Sequence, residues 1–366
     1  MKFAILGAGN TGKAYSAFLS HGGHQVLLYD RSQERLAPIQ ARGISATGVV
    51  EGRFPVPVTT QLEDCGDSDV ILVCTVAAGH RPLAAGLRGV LRPGQIILVT
   101  NCCWGAVEFD MELGAEAERK GCPIGETGGQ LILCSSPAPD AVYLKTVKKS
   151  MGLACVRPED TAGVLERLAP VFPQLCPAAN VLETSLNNSN PISHGPLALF
   201  NITRMENGED FLLFGTGVTP RVARFMEKID RERVAVVRAC GVSAPTELEM
   251  LNSFWPEPQE SLYNVLHNTP AYSVTKGPRT LDHRYLTEDL PYGLVPYVRL
   301  GRKLGVETPC LEALIGMFGL YMDQDYFQQG PEVEQLDLSR YREDQRGPHG
   351  CAAPVGPFFS LRSMVK

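Results

Sequence analysis

Phe3-Ala4-Ile5-Leu6-Gly7-Ala8-Gly9-Asn10-Thr11-Gly12 sets an apolar run before G-x-G-x-x-G, a helical pattern follows from Lys13, and a second apolar run, Gln25 to Tyr29, leads into Asp30. In that order the parts predict a strand, a tight turn and a helix whose N-terminus faces a dinucleotide pyrophosphate. Gly7 permits the turn, Gly9 lets the backbone approach the phosphates, and Gly12 lets helix and strand pack closely, with Asn10 and Thr11 completing the loop. A chance glycine-rich turn would lack the flanking elements and the acid about 20 residues on. Asp30 suits a ribose 2'-hydroxyl and NAD, whereas Arg31 beside it suits the 2'-phosphate of NADP, so both cofactors stay open.

Two further apolar runs, Asp69 to Val76 and Gln95 to Thr100, alternate with helical patterns, as in a parallel sheet covered by helices. Thr75 and Asn101 fall at the ends of these runs, where a doubly wound sheet opens its ligand crevice, so either can line the nicotinamide side. Ile44 to Thr60 reads as an inserted hairpin, and strands are expected at Gln130 to Cys134, Val142 to Val147 and Leu153 to Val156. Beyond Pro158 the pattern turns helical: Thr161 to Leu168, a long run from Thr219-Pro220 to Ala239 closed by Gly241, then Pro291 to Leu304 and Pro309 to Tyr321. The expected architecture is α/β, a Rossmann-type doubly wound domain over 1–184 followed by a mainly α-helical domain over 185–366. The segment beyond Gln329 is rich in Pro, Gly and charge and carries no expectation of structure.

At 366 residues, two cores are expected. A net charge of -6 argues against a general attraction to nucleic acid or acidic membranes, and no run of about 18 apolar residues spans a bilayer. Small molecules are the expected partners. MKFAILGAGN at the start has no secretory pattern, and the eleven cysteines show no metal spacing, so reduced thiols in the cytoplasm and no metal are expected.

A nicotinamide enzyme needs a proton donor in its second domain, and histidine titrates nearest neutrality. Of the seven histidines, His21 and His24 end the first helix, His349 lies in the tail and His80 follows a strand; His194 instead sits in the polar junction Asn187-Asn188-Ser189-Asn190-Pro191-Ile192-Ser193-His194-Gly195-Pro196. On residues alone, a histidine bonded within an Asn-rich turn explains it as well. The stretch N-x-x-N-P-x-x-H after Val181-Leu182-Glu183-Thr184-Ser185-Leu186, however, resembles the catalytic segment of the opine dehydrogenases, the octopine and nopaline dehydrogenase family. Thr280-Leu281-Asp282-His283-Arg284-Tyr285-Leu286-Thr287-Glu288-Asp289-Leu290-Pro291-Tyr292-Gly293-Leu294-Val295-Pro296 is similar to the stretch carrying that histidine's acidic partner, and similarity continues at Thr219 to Arg224 and Leu304 to Pro309.

The resemblance implies that His194 and Asp289 form a catalytic dyad in a cleft between the two domains, and that NAD(P)H reduces the imine of an amino acid and a 2-oxo acid such as pyruvate. Asp289 is expected just before a helix opening at Pro291, where the helix dipole favours its ionised form. Arg279, His283 and Arg284, with Arg204 further off, suit substrate carboxylates, while Asn190 and Tyr292 are expected to orient substrate. Thr100 to Phe109 departs from the family's glycine-rich "PGxxGGAxEF", and Glu126-Thr127 is followed by Gly128-Gly129-Gln130, so substrate identity does not carry over. A ketopantoate-type reductase, which depends on a lysine in the second domain (Lys228 or Lys276 here), and a non-catalytic dinucleotide sensor are the competing readings. A homodimer formed through the helical domain is expected.

Overall fold

In the computed structural model, which describes residues 1–253, 257–270 and 272–343, the contacts separate two compact units: Met1–Ser185, to which the chain returns at Tyr341, and Leu186–Arg340. The first holds every strand: β1 (Lys2–Leu6), β2 (Gln25–Tyr29), β3 (Ile44–Gly48), β4 (Gly52–Phe54), β5 (Val58–Thr59) and β6 (Val70–Val73). β7 (Ile96–Val99), β8 (Ile124–Thr127), β9 (Ile132–Ala138), β10 (Ala141–Val147), β11 (Met151–Cys155) and β12 (Leu175–Pro177) follow.

An eight-stranded sheet runs β12-β11-β8-β7-β6-β1-β2-β5, parallel from β5 to β8 and reversing at β11. β6 and β7 are buried at every position, as VILV and IILV, because strands covered on both faces need no polar alternation. A second sheet, β4-β3-β10-β9, takes in the predicted hairpin. The expected insertion therefore divides: β3 and β4 pair as a hairpin, while β5 lies parallel to β2 and extends the main sheet. β8 and β12 were not anticipated.

The second unit is helical. Its longest helix, Pro220–Ala239, starts with Pro at its N-terminus and Thr219 accepting from the Val222 N–H at 3.3 Å. Two differences bear on the site. The expected helix from Pro291 instead starts at Tyr285: a π-helical stretch, Tyr285–Leu294, runs directly into the α-helix Val295–Leu304. Proline has no N–H for an i→i−4 bond and its ring collides with that carbonyl, so the wider coil accommodates Pro291 where an α-helix would break. Secondly, 185–366 is not one body: Tyr341 returns to the first unit, its hydroxyl donating to Asp110 Oδ2 at 2.9 Å, and Asn180 Nδ2 donates to the Arg342 carbonyl. Among the described residues nine cysteines carry free thiols. Among the described residues no helix is long and apolar enough to cross a membrane.

Candidate active site

The glycine turn is built from backbone. Gly7 has φ +108°, and a Cβ there would come 2.8 Å from Thr75 Cγ2. A Cβ on Gly12 would lie 1.7 Å from the Gly7 carbonyl oxygen, which no side chain can occupy, whereas a Cβ on Gly9 would meet nothing within 4 Å. Gly9 opens the helix Asn10–His21, and no side chain caps the first-turn N–H groups. Asn10 is exposed and Thr11 buried in that turn. At the end of β2, Asp30 accepts from the Ala8 N–H and the Ser32 N–H, each at 2.9 Å, which ties the second strand to the turn.

Arg31 is exposed, and Arg35, four residues further on, brings Nη1 to 3.9 Å from Asp30 Oδ2. The Thr75 hydroxyl, just past β6, is buried with no hydrogen-bond partner among the described residues. Asn101 follows β7 and is half-buried. Open space at Gly9, uncapped N–H groups and an orphaned hydroxyl at one end of the sheet fit a bound dinucleotide.

In the second unit, His194 lies on the helix Asn190–Phe200 and Asp289 on the π-helical stretch, 95 residues apart, yet His194 Nδ1 and Asp289 Oδ2 are 2.8 Å apart. Small residues allow this approach. A Cβ on Gly293 would lie 2.3 Å from Pro191 Cγ, and one on Gly195 would lie 2.7 Å from Leu294 Cδ1, so both glycines sit where the two helices touch. The Asp289 side chain is wholly buried and that of His194 is 15% exposed. With a carboxylate as partner, Nδ1 is the donor, which leaves Nε2, with no hydrogen-bond partner among the described residues, for another group.

Asp289 Oδ1 faces Arg284 Nη2 at 3.8 Å, and the same nitrogen lies 3.2 Å from Glu288 Oε2. Asp289 thus sits inside a helical coil rather than ahead of one, and its charge is met by Arg284 and His194 instead of a helix N-terminus. Tyr285, to which the sequence alone assigns no role, stacks on the His194 ring at 3.9 Å. Burial, reinforced by the Asp289 charge, pushes its hydroxyl up to about 12. His283 packs edge-on against Tyr285, and burial, then the neighbouring His194, lowers its pKa.

The structure thus gathers His194, Asp289, His283, Arg284 and Tyr285. Asn190 stands one turn before His194 on the same helix, exposed, and Tyr292 is half-buried on the π-helical stretch. Arg279 lies elsewhere: Nε donates to the Gly208 carbonyl at 2.7 Å and Nη1 is 3.7 Å from Asp210 Oδ1. Arg204 is held by Glu209 and Thr216 over the Phe211 ring. Of the other histidines, His80 is buried 3.6 Å from Glu108, and His349 lies outside the described residues. Behind His194, Ser193 Oγ donates to Glu247 Oε1 at 2.8 Å, and burial pushes Glu247 up to about 8. Glu247 was missed because nothing in Pro245-Thr246-Glu247 marks it apart from a surface glutamate at a helix start.

Comparison with known proteins agrees with this division. The sequence model described as "NAD/NADP octopine/nopaline dehydrogenase, alpha-helical domain" matches residues 177–322, and that for "Ketopantoate reductase PanE/ApbA" matches 3–109. The opine dehydrogenase of Arthrobacter sp. (strain 1C) is 33% identical, over 92% of this chain and 95% of its own. Among solved structures, a yersinopine dehydrogenase with NADP+ bound superposes with a TM-score of 0.74 at 18% identity, over 93% of this chain and 96% of that one. An octopine dehydrogenase with NADH and L-arginine gives 0.71 at 16%, over 88% and 90%.

Proposed function

The chain belongs to the NAD/NADP octopine/nopaline dehydrogenase family and is an opine dehydrogenase-like oxidoreductase, and from that premise we propose that His194 and Asp289 manage the proton in its reductive condensation of an amino acid with a 2-oxo acid such as pyruvate. The observation that carries this is the 2.8 Å Nδ1 to Oδ2 contact, which commits one imidazole nitrogen and leaves the other for substrate.

The residues act as follows. Asp289, fixed by burial and Arg284, holds Nδ1–H and so sets the tautomer of His194. Tyr285, stacked on one face of the ring, limits its rotation. As the amine and oxo acid condense, Nε2 of protonated His194 gives its proton to the departing keto oxygen, which leaves as water. Bound at the glycine turn, NADH or NADPH supplies the hydride that converts the imine carbon to CH–NH. Each turnover consumes one amino acid, one oxo acid, one reduced nucleotide and one proton, and releases water. Arg284 and His283 attract a substrate carboxylate, with Asn190 and Tyr292 orienting the amino acid. Arg279, engaged with Gly208 and Asp210, is the weakest member of the set expected from sequence.

The ketopantoate-type reading lacks its lysine: Lys228 is exposed, and Lys276 pairs with Asp210 at 3.4 Å. We also propose a homodimer through the helical unit, where the outward face of the helix Pro309–Met322 exposes Met317 (54%) and Leu320 (80%); sedimentation gives its mass. The function is tested by following NADH and NADPH oxidation with amino acids and 2-oxo acids, each omitted in turn. Oxidation requiring both substrates is expected and also ranks the cofactors. Oxidation with the oxo acid alone points to a ketoreductase, and none with any pair points to a sensor.

A further inference from the structure

In the dinucleotide-binding unit, the ammonium of Lys148 has no acceptor among the described residues. Lys148 directly follows β10, and its N–H donates to the Leu131 carbonyl at 2.9 Å. Its Nζ lies 3.8 Å from where a Cβ on Gly129 would stand, two residues beyond the end of β8. The titratable group beside it among the described residues is the Cys102 thiol, three residues beyond the end of β7. The amine therefore stands at the C-terminal ends of β7 and β8. Lys148 is half-buried, yet packing around it is dense enough that burial lowers its pKa.

Among the described residues Nζ has no hydrogen bond and no ion pair. Lys13, a buried lysine of this unit, differs: it donates to the carbonyls of Ala138 and Pro139 at 3.2 and 3.0 Å. A half-buried ammonium with no acceptor of its own is available to a ligand anion, and pairing with one offsets the cost of its partial burial.

The sheet order says which anion. Asp30, at the end of β2, marks the adenosine ribose side, so a dinucleotide crossing β1 carries its nicotinamide half towards β6, β7 and β8. The carbon that accepts hydride bears a carboxylate one bond away. We propose that Lys148 binds the carboxylate of the 2-oxo acid, a reading that rests on the reductive condensation above. The loop beyond β8 suits this role. Gly129 has φ +154°, and Thr127 Oγ1 donates to its carbonyl at 2.8 Å, so the turn is fixed and free of side-chain bulk where Nζ stands.

The test compares Lys148→Met and Lys148→Arg with the wild type. In steady state, Lys148→Met is expected to raise the KM for pyruvate by about ten- to a hundred-fold, the loss of one charge-assisted hydrogen bond. The KM values for the amino acid and the reduced nucleotide are expected to change less than twofold, and Lys148→Arg is expected to recover part of the loss. A second readout needs no turnover: calorimetric titration of pyruvate into the NADH complex, with amino acid absent, is expected to give heat for the wild type and none for Lys148→Met. That titration separates failure of the carboxylate site from failure of the condensation reading. An unchanged KM for pyruvate in Lys148→Met, or in Lys148→Gln should the Met variant not fold, overturns the assignment. So does equal pyruvate binding by variant and wild type, or none by the wild type.

Discussion

The turn from Gly7 to Gly12 is assembled from backbone within six consecutive residues, whereas His194 and Asp289 meet as side chains that stand 95 residues apart. The turn depends on what is missing, since a single Cβ on Gly12 would strike the Gly7 carbonyl. The dyad depends on what is packed, since its 2.8 Å contact exists only while two helices touch through Gly195 and Gly293. A site made of backbone is written into local spacing; a site made of side chains is written into the core that holds it.

This contrast can be broken or sharpened. His194→Ala is expected to lower kcat by about 10²- to 10⁴-fold with nucleotide affinity unchanged by fluorescence titration. Equal loss of both would mean that turn and dyad are not separable. Gly293→Ala pushes Pro191 away and is expected to lower kcat by roughly ten- to a hundred-fold without loss of nucleotide binding, because small displacements of a catalytic group are expensive. Unchanged turnover there would show that the helix contact does not set the geometry.

Gly12→Ala should do the reverse. Nucleotide binding is lost, and chemical denaturation should show destabilisation of about 1–3 kcal/mol from overpacking. The smallest effect concerns Glu247. Its carboxyl titrates near 4.3 when unfolded and at about 8 when folded, so between those values the unfolded chain releases a proton that the folded one retains, and stability falls as pH rises. Glu247→Gln keeps an acceptor for Ser193 and is expected to flatten the decline in Tm from about pH 5 to pH 8. An unaltered slope would assign the pH dependence to other groups.

What the sequence disclosed follows the same line. Continuous apolar runs gave β1, β2, β6 and β7 because buried parallel strands need no alternation. The His194 and Asp289 pairing came from resemblance, since neither residue is distinctive alone. Pro291 misled: read as the first residue of an α-helix, it lies within a π-helical coil that only packing reveals. β8 and β12 escaped notice because they are three or four residues long and interrupted by Gly125 or ended by Pro177. The return of Tyr341 to the first unit is marked by its hydrogen bond to Asp110, and no periodicity encodes such a contact.

The most direct test of the central claim is mass spectrometry of the product formed from an amino acid, pyruvate and NAD(P)H deuterated at the transferable position. The account predicts one secondary amine joining both substrates, with deuterium on the former keto carbon, formed by the wild type and not by His194→Ala. Deuterated lactate, made at the same rate whether or not amino acid is present, would contradict it.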